Sequence, residues 1–295
     1  MNIIGLGQCG CSIAKCFEKY PQYSIHYINT EKIESKEYLF PEQEYYVSDK
    51  KVNIGKTFLL KEQKSHEAYE ANCPDFSKFL KKVKDKTFFI IGGSGTISGA
   101  ALRILEHLKH AEITLIYIKP EIALLSEIGS LQERAVYNVL QEYTRSGVFE
   151  NMYIFDNPIL EELVPDITVY NQYDKLNELI SFSLHMINVF DNTRPVTSTM
   201  SGFSEISRIG TLGSFDIDKN LETFYFSLDN VSEKCYYYAI PEKQLKEDTD
   251  LFRKIKEQMK QKTEKGKNRI SYMIHPTEHS QPHCYILAKS SQIQK

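Results

Sequence analysis

The sequence predicts an α/β fold: a parallel, helix-covered sheet in the first half, a long central helix, and a smaller α+β unit towards the C-terminal end. Three observations predict it. Short apolar runs alternate with helical stretches through the first half of the chain. Two of those runs pass directly into glycine-rich turns that open helices. After Pro195 the composition turns Ser/Thr/Gly-rich before apolar strands resume.

Taken in order, residues 2–5 form a short apolar strand, followed by a glycine-rich turn and a helix over residues 11–20. Residues 24–28 are a second strand. Residues 31–60 are polar, rich in Tyr, Glu and Lys, and read as irregular connection or short edge strands. Helical charge patterning over 61–84 (Lys61, Glu62, Lys64, Glu67, Glu70) ends in a basic stretch. Residues 87–91 are fully apolar, hence a buried strand, and 100–110 place Leu102, Leu105 and Leu108 on related turns of a helix. A strand at 113–118, a helix at 131–145 and a strand at 152–155 follow. The longest helical pattern covers 166–192, with Leu176, Leu179, Ile180, Leu184, Ile187 and Phe190 as its apolar face. Beyond it come a strand at 235–240, a charged helix at 250–262, and strands at 269–274 and 283–288. The basic stretch 243–269 interleaves acidic residues and reads as a solvated face.

Composition narrows the function classes. Apolar residues make up 41% and charged residues 25% of the 295 positions, which excludes a disordered chain. Lys and Arg number 36 against 39 Asp and Glu, so a net charge of −3 offers no global basic field for nucleic acid. No apolar run reaches the ~18 residues of a membrane span. The start, Met1-Asn2-Ile3-Ile4-Gly5, has no targeting character, so a cytoplasmic location is expected. Six cysteines show neither a CxxC pair nor a zinc spacing and read as reduced thiols. His275, His279 and His283 with Cys284 suggest a metal, but Pro276 and Pro282 break any helix that would align them. A hairpin loop is the better reading, and no metal site is assigned.

Two loops carry the chemistry. In Gly5-Leu6-Gly7-Gln8-Cys9-Gly10, glycines let the backbone approach a phosphate at the positive end of a helix. Alone this is a dinucleotide fingerprint, with Glu31 as the acidic residue expected ~20 positions on. The second loop, Gly92-Gly93-Ser94-Gly95-Thr96-Ile97-Ser98-Gly99, again joins a buried strand to a helix. Two such loops suggest a polyphosphate held between them, which a nicotinamide fold does not need. A P-loop is excluded, because Gly55-Lys56-Thr57 lacks its upstream glycine.

These residues resemble the tubulin/FtsZ superfamily, in a divergent prokaryotic, phage or plasmid form. Gly7-Gln8-Cys9-Gly10 looks like the first nucleotide loop of tubulins, and residues 93–99 look like the family motif GGGTG[ST]G, departing at Ser94 and Ile97. Ile28-Asn29-Thr30-Glu31 resembles the INTD of bacterial homologues. Asp156-Asn157, ahead of Leu160 and Leu163, resembles the DNEAL or PNDRLL segment. Tyr170 and Asp174, four apart on the long helix, match the residues that meet the base, and Arg134 resembles a ribose- or phosphate-side arginine. The resemblance covers nearly the whole chain.

It implies a Rossmann-like GTP-binding domain over residues 1–166, a long central helix over 167–194, and an activation-type α+β domain over 195–295. It further implies GTP or GDP as ligand, with Mg2+, and a head-to-tail homopolymer that hydrolyses GTP slowly across the subunit interface. The nucleotide set is then Gly7, Gln8, Cys9, Gly10, Asn29, Glu31, Gly93, Ser94, Gly95, Thr96, Ser98, Gly99, Arg134, Asn157, Tyr170 and Asp174. In the family an acidic loop follows the long helix; here Gly202 replaces its first acid and Glu205 its second. Glu205 is the expected catalytic residue, with Asp216 or Asp218, or no working acid, left open. Ending at Lys295, the sequence is expected to carry neither the C-terminal helical hairpin of eukaryotic tubulins nor a long tail. Two alternatives stand: a non-hydrolysing structural relative, and an NAD(P)-dependent Rossmann oxidoreductase.

Overall fold

The computed structural model describes residues 1–33, 55–265 and 268–295. Most of the connection expected over 31–60, residues 34–54, lies outside the described residues. Packing separates two compact units that interleave along the chain: Met1–Leu140 with Glu161–Ser181, and Gln141–Leu160 with Phe182–Lys295.

The first unit is built on β1 (Asn2–Leu6), β2 (Ser24–Asn29), β3 (Lys56–Leu59), β4 (Thr87–Gly92) and β5 (Ile113–Lys119). They form an all-parallel array in the order β3-β2-β1-β4-β5. Ile3, Ile4, Phe89, Ile90, Leu115 and Ile116 are fully buried. Runs apolar on both faces are what a parallel sheet clad in helices requires. Leu6 pairs with Ile91, so β1 and β4 end level and their glycine turns emerge side by side. Around the sheet run α1 (Gly7–Lys15), α2 (His66–Ala71), α3 (Ala101–Glu106) and α4 (Glu127–Arg145) as far as Leu140. After α5 (Asn157–Leu163), α6 (Gln172–Asp191) belongs to this unit up to Ser181.

Three of the helices depart most from expectation. Helix α1 starts at Gly7 rather than near residue 11, because Gly7 at φ +69° turns strand into helix at once. Within 61–84 only α2 is helical; Ser65 caps it by accepting from the Ala68 N–H at 3.2 Å, and Pro74 follows its end. Charge spacing without an apolar face does not sustain a longer helix there. The long helix starts at Gln172, not Asp166. Asp166 adopts φ +56°, the Thr168 N–H donates to Asn171 Oδ1 at 2.7 Å, and Lys175 Nζ donates to the Pro165 and Asp166 carbonyls.

The second unit contains β6 (Asn151–Asp156), β7 (Thr197–Ser198), β8 (Ile209–Asp216), β9 (Leu221–Phe224), β10 (Glu233–Pro241), β11 (Arg269–Thr277) and β12 (His283–Ser290). Their order is β6-β8-β12-β10-β11-β7, with β9 beside β8. Helices α7 (Glu242–Glu247) and α8 (Leu251–Lys265) complete it. Tyr236, Tyr238 and Ile240 of β10 pack with Leu251, Ile255 and Met259 of α8. On the opposite face Tyr237 stacks on Phe190 of α6, ring centroids 5.7 Å apart. Each such large side chain contributes roughly 1.5–3 kcal/mol on burial.

The expected hairpin between the last two strands is not formed, since β10 lies between β11, its parallel neighbour, and β12, its antiparallel one. His275 is buried in β11, its Nδ1 3.1 Å from Thr193 Oγ1, whereas the His279 and His283 rings meet edge to face with centroids 6.0 Å apart. Along α7 and α8, Lys246 pairs with Glu242 at 2.8 Å and Lys260 with Glu264 at 3.9 Å, as a solvated face does. No helix among the described residues is long and apolar enough to cross a membrane.

Candidate functional site

The first glycine loop is built by close packing as much as by openness. A Cβ on Gly5 would lie 2.4 Å from the Gly10 carbonyl oxygen, and one on Gly10 2.3 Å from that of Ile90. Those two glycines let α1 pack directly on β1 and β4. Gly7 is different: its left-handed backbone aims the first turn of α1 away from the strand. Gln8 is exposed, and its Oε1 accepts from Asn29 Nδ2 at 3.3 Å, which ties the loop to the end of β2. Cys9 sits against Gly92 of the second loop, and burial pushes its thiol up to about 12.

The second loop leaves β4 through Gly93, whose N–H donates to the Ile118 carbonyl at 2.9 Å. A Cβ there would strike the Tyr117 hydroxyl at 2.3 Å, so only glycine fits. Ser94, Gly95 and Thr96 are exposed beside the N-terminal end of α1, where backbone N–H groups and the helix dipole favour an anion. A 3₁₀ turn over Thr96–Ala100 then precedes α3, closed by the Ser98 N–H on the Gly95 carbonyl at 2.9 Å. Ser98 itself is buried. Its hydroxyl is buried without a hydrogen-bond partner, and the residue borders a cavity with His66, Gln132 and Val136. Gly99 lies on the His66 carbonyl. The residues present therefore fit a phosphate group at the junction of Gly7–Gly10 with Ser94–Thr96.

No protein-family model matches the chain, and no curated protein sequence does. Solved structures do match. FtsZ from M. jannaschii aligns over 99% of this chain and 88% of its own, with TM-score 0.67 and 12% identity. CetZ2 from Haloferax volcanii, solved as a GTPγS-bound protofilament, aligns over 98% and 92%, with TM-score 0.70 and 12% identity. The chain has the tubulin/FtsZ fold. A GTPγS-form protofilament of TubZ from Bacillus thuringiensis serovar israelensis agrees, with TM-score 0.64, 14% identity, and 98% and 86% coverage.

The tubulin/FtsZ fold here distributes the other expected residues unevenly. Glu31 is exposed at the bend after β2. Arg134 is exposed in the middle of α4, not at its start, because the helix begins at Glu127. Tyr170 lies in the turn before α6 and is 98% exposed, while Asp174 is exposed in the first turn of α6. The two are therefore not on successive turns of one helix. Asn157 opens α5 in the second unit and is half-buried. Asp156, not Asn157, accepts from the helix, taking the Ile159 N–H at 3.4 Å.

Glu205 is exposed in a turn between β7 and β8, following Gly202 at φ +91°. It lines a cavity of the second unit together with Asp191, Arg208 and Lys289. Lys289 is buried, donates to Asn151 Oδ1 at 2.5 Å, and is lowered by burial to about 8. The rival acids are already engaged: Asp216 accepts from the Asp218 and Lys219 N–H groups, and Asp218 meets Lys254 at 2.7 Å.

One group escaped the sequence reading. Glu133 of α4 is buried and accepts from the Tyr117 hydroxyl at 2.9 Å, directly behind Gly93; burial raises its carboxyl above the usual range. The signal was present, since Glu133 stands at helical spacing before buried Tyr137 and Leu140.

Proposed function

We propose that the chain binds a guanine nucleotide at its two glycine loops and assembles head to tail into filaments. The observation that carries this reading is the pairing of β1 with β4. It sets two strand–glycine–helix junctions level, with exposed backbone at Ser94–Thr96 beside the N-terminal end of α1. The solved relatives include a GTPγS-bound protofilament and a two-stranded TubZ filament, which supports extending nucleotide-linked assembly to this chain. Gly7–Gly10 and Gly93–Gly99 hold the phosphates, with Mg2+ as counter-charge. Asn29, Glu31 and Arg134 serve the sugar and phosphate side. Tyr170 and Asp174 serve the base.

Self-association fits the surface of the first unit. Leu124, Ile128 and Leu131 are exposed after β5, and Val169, Tyr170 and Tyr173 around the start of α6. Large apolar side chains left exposed on these two segments are what a self-association surface would cover. In the assembled state Glu205 of a neighbouring copy orients the attacking water, and turnover is slow because Gly202 leaves that loop one acid short. Assembly of this kind belongs in the cytoplasm.

Ile97 and Gly202 favour one second reading, a structural relative that binds nucleotide without hydrolysing it. Titration of the purified protein with GTP, ATP and NADH tests the primary reading. GTP is expected to bind most tightly, and Asp174→Ala to weaken it at least ~10-fold, the loss of one charge-assisted hydrogen bond of ~1.5–3 kcal/mol. Equal affinity for ATP and GTP contradicts the guanine assignment, and preference for NADH returns the site to dinucleotide chemistry.

A further inference from the structure

The two glycine loops grip each other through reciprocal contacts. The γ2 methyl of Ile97 lies 2.6 Å from where a side chain on Gly7 would begin, and 3.7 Å from that position on Gly95. In the other direction, Cys9 places its Cβ 2.9 Å and its Sγ 3.2 Å from the corresponding position on Gly92. Each loop thus sends one short side chain into space that a glycine of the other leaves open. Ile97 is well fixed for this task. The Ser98 N–H on the Gly95 carbonyl closes the turn around it, and β-branching restricts its χ1.

The geometry points to Ile97 as a positioning residue that clasps the second glycine loop onto the first and preforms the anion cradle between them. This rests on the nucleotide reading above. A segment with glycine at 92, 93, 95 and 99 has wide backbone freedom when nothing holds it. Apparent affinity falls in proportion to the fraction of molecules whose loop is in the competent arrangement. The contact is made by the γ2 methyl, so side-chain shape matters more than size. Valine carries the same methyl; leucine, of similar volume, does not.

The test uses the full chain and the variants Ile97→Val, Ile97→Leu and Ile97→Ala, each titrated with GTP, GDP and guanosine. The rate of Cys9 alkylation by N-ethylmaleimide is measured in parallel, without nucleotide, by peptide mass spectrometry. Ile97→Val is expected to bind GTP and GDP within about twofold of the native protein. Ile97→Leu and Ile97→Ala are expected to weaken both about tenfold, as if about one loop in ten were competent, while guanosine is unaffected. Cys9 should alkylate faster in those two variants than in the native protein or Ile97→Val. Native-like binding and alkylation by Ile97→Leu overturn the clasp, as does a loss in Ile97→Val equal to that in Ile97→Leu. A native protein that binds no guanine nucleotide, with Cys9 alkylation still faster in Ile97→Leu, supports the clasp and overturns the nucleotide reading instead.

Discussion

Lys289 shows how much one buried charge governs in the second unit. Its amine is held by Asn151 and lies over the Phe203 ring at 4.3 Å, with Asp191, Glu150, Glu233 and Arg208 as the surrounding charges. Burial is the largest influence and lowers it from 10.5 to about 8, so between these values the unfolded chain binds more protons than the fold. The contribution of Lys289 to stability should therefore rise as pH climbs from about 8 towards 10, and be lost as pH falls back through 8. Thermal melting at pH 7.5 and 9.5 checks this. The buried thiols, raised by burial, act in the opposite sense in both proteins, so the native midpoint should gain on that of Lys289→Met between the two pH values, at about 2–4 °C per kcal/mol for a protein of this size. A difference between the two midpoints that stays constant or shrinks over that interval contradicts the assignment. The same scale explains why Glu133 went unread. A carboxylate in an apolar stripe reads as a surface residue until Tyr117 is seen to reach it.

Among the elements, those whose sequence and packing agree were legible, and those shaped by a single turn or a close approach were not. The strands β1, β4 and β5 are continuous apolar runs and lie where such runs demand. In β8 the signature is diluted by Gly210 and Gly213, which exist because backbone passes within contact of both; a Cβ on Gly213 would meet the Thr223 carbonyl at 2.3 Å. That strand, with β7 and β9, was hidden in a stretch that read only as Ser/Thr/Gly-rich. The start of α6 depends on the left-handed Asp166, which no periodicity announces. Both glycine loops were legible as strand–glycine–helix junctions because close packing requires glycine at Gly5, Gly10 and Gly93, whereas the burial of Ser98 depends on the 3₁₀ turn that carries it. Where α8 covers β10, packing decides stability. Ile255, fully buried among Tyr236, Tyr238 and Met259, should cost about 2–5 kcal/mol when cut to alanine. Chemical denaturation measures it, and a loss below about 1 kcal/mol would contradict the packing described.

For the whole molecule, the proposed function sets a nucleotide site on the first unit against an acidic turn on the second unit of another copy. Two consequences follow from that division of labour. Glu205→Gln should bind GTP normally and hydrolyse it poorly, leaving longer-lived polymers. Mixed with a loop mutant such as Gly95→Val, it should recover some turnover, since each chain supplies what the other lacks at the shared interface. Because Asp216 and Asp218 are held by backbone N–H groups and Lys254, replacing them should alter turnover less than replacing Glu205. The most direct measurement is GTP turnover per molecule as a function of protein concentration, with the polymer pelleted in parallel. Turnover should stay near zero below a threshold, rise above it, and track the pelleted fraction. Turnover per molecule that is constant across the threshold would mean that one chain holds a complete site, and would contradict the account.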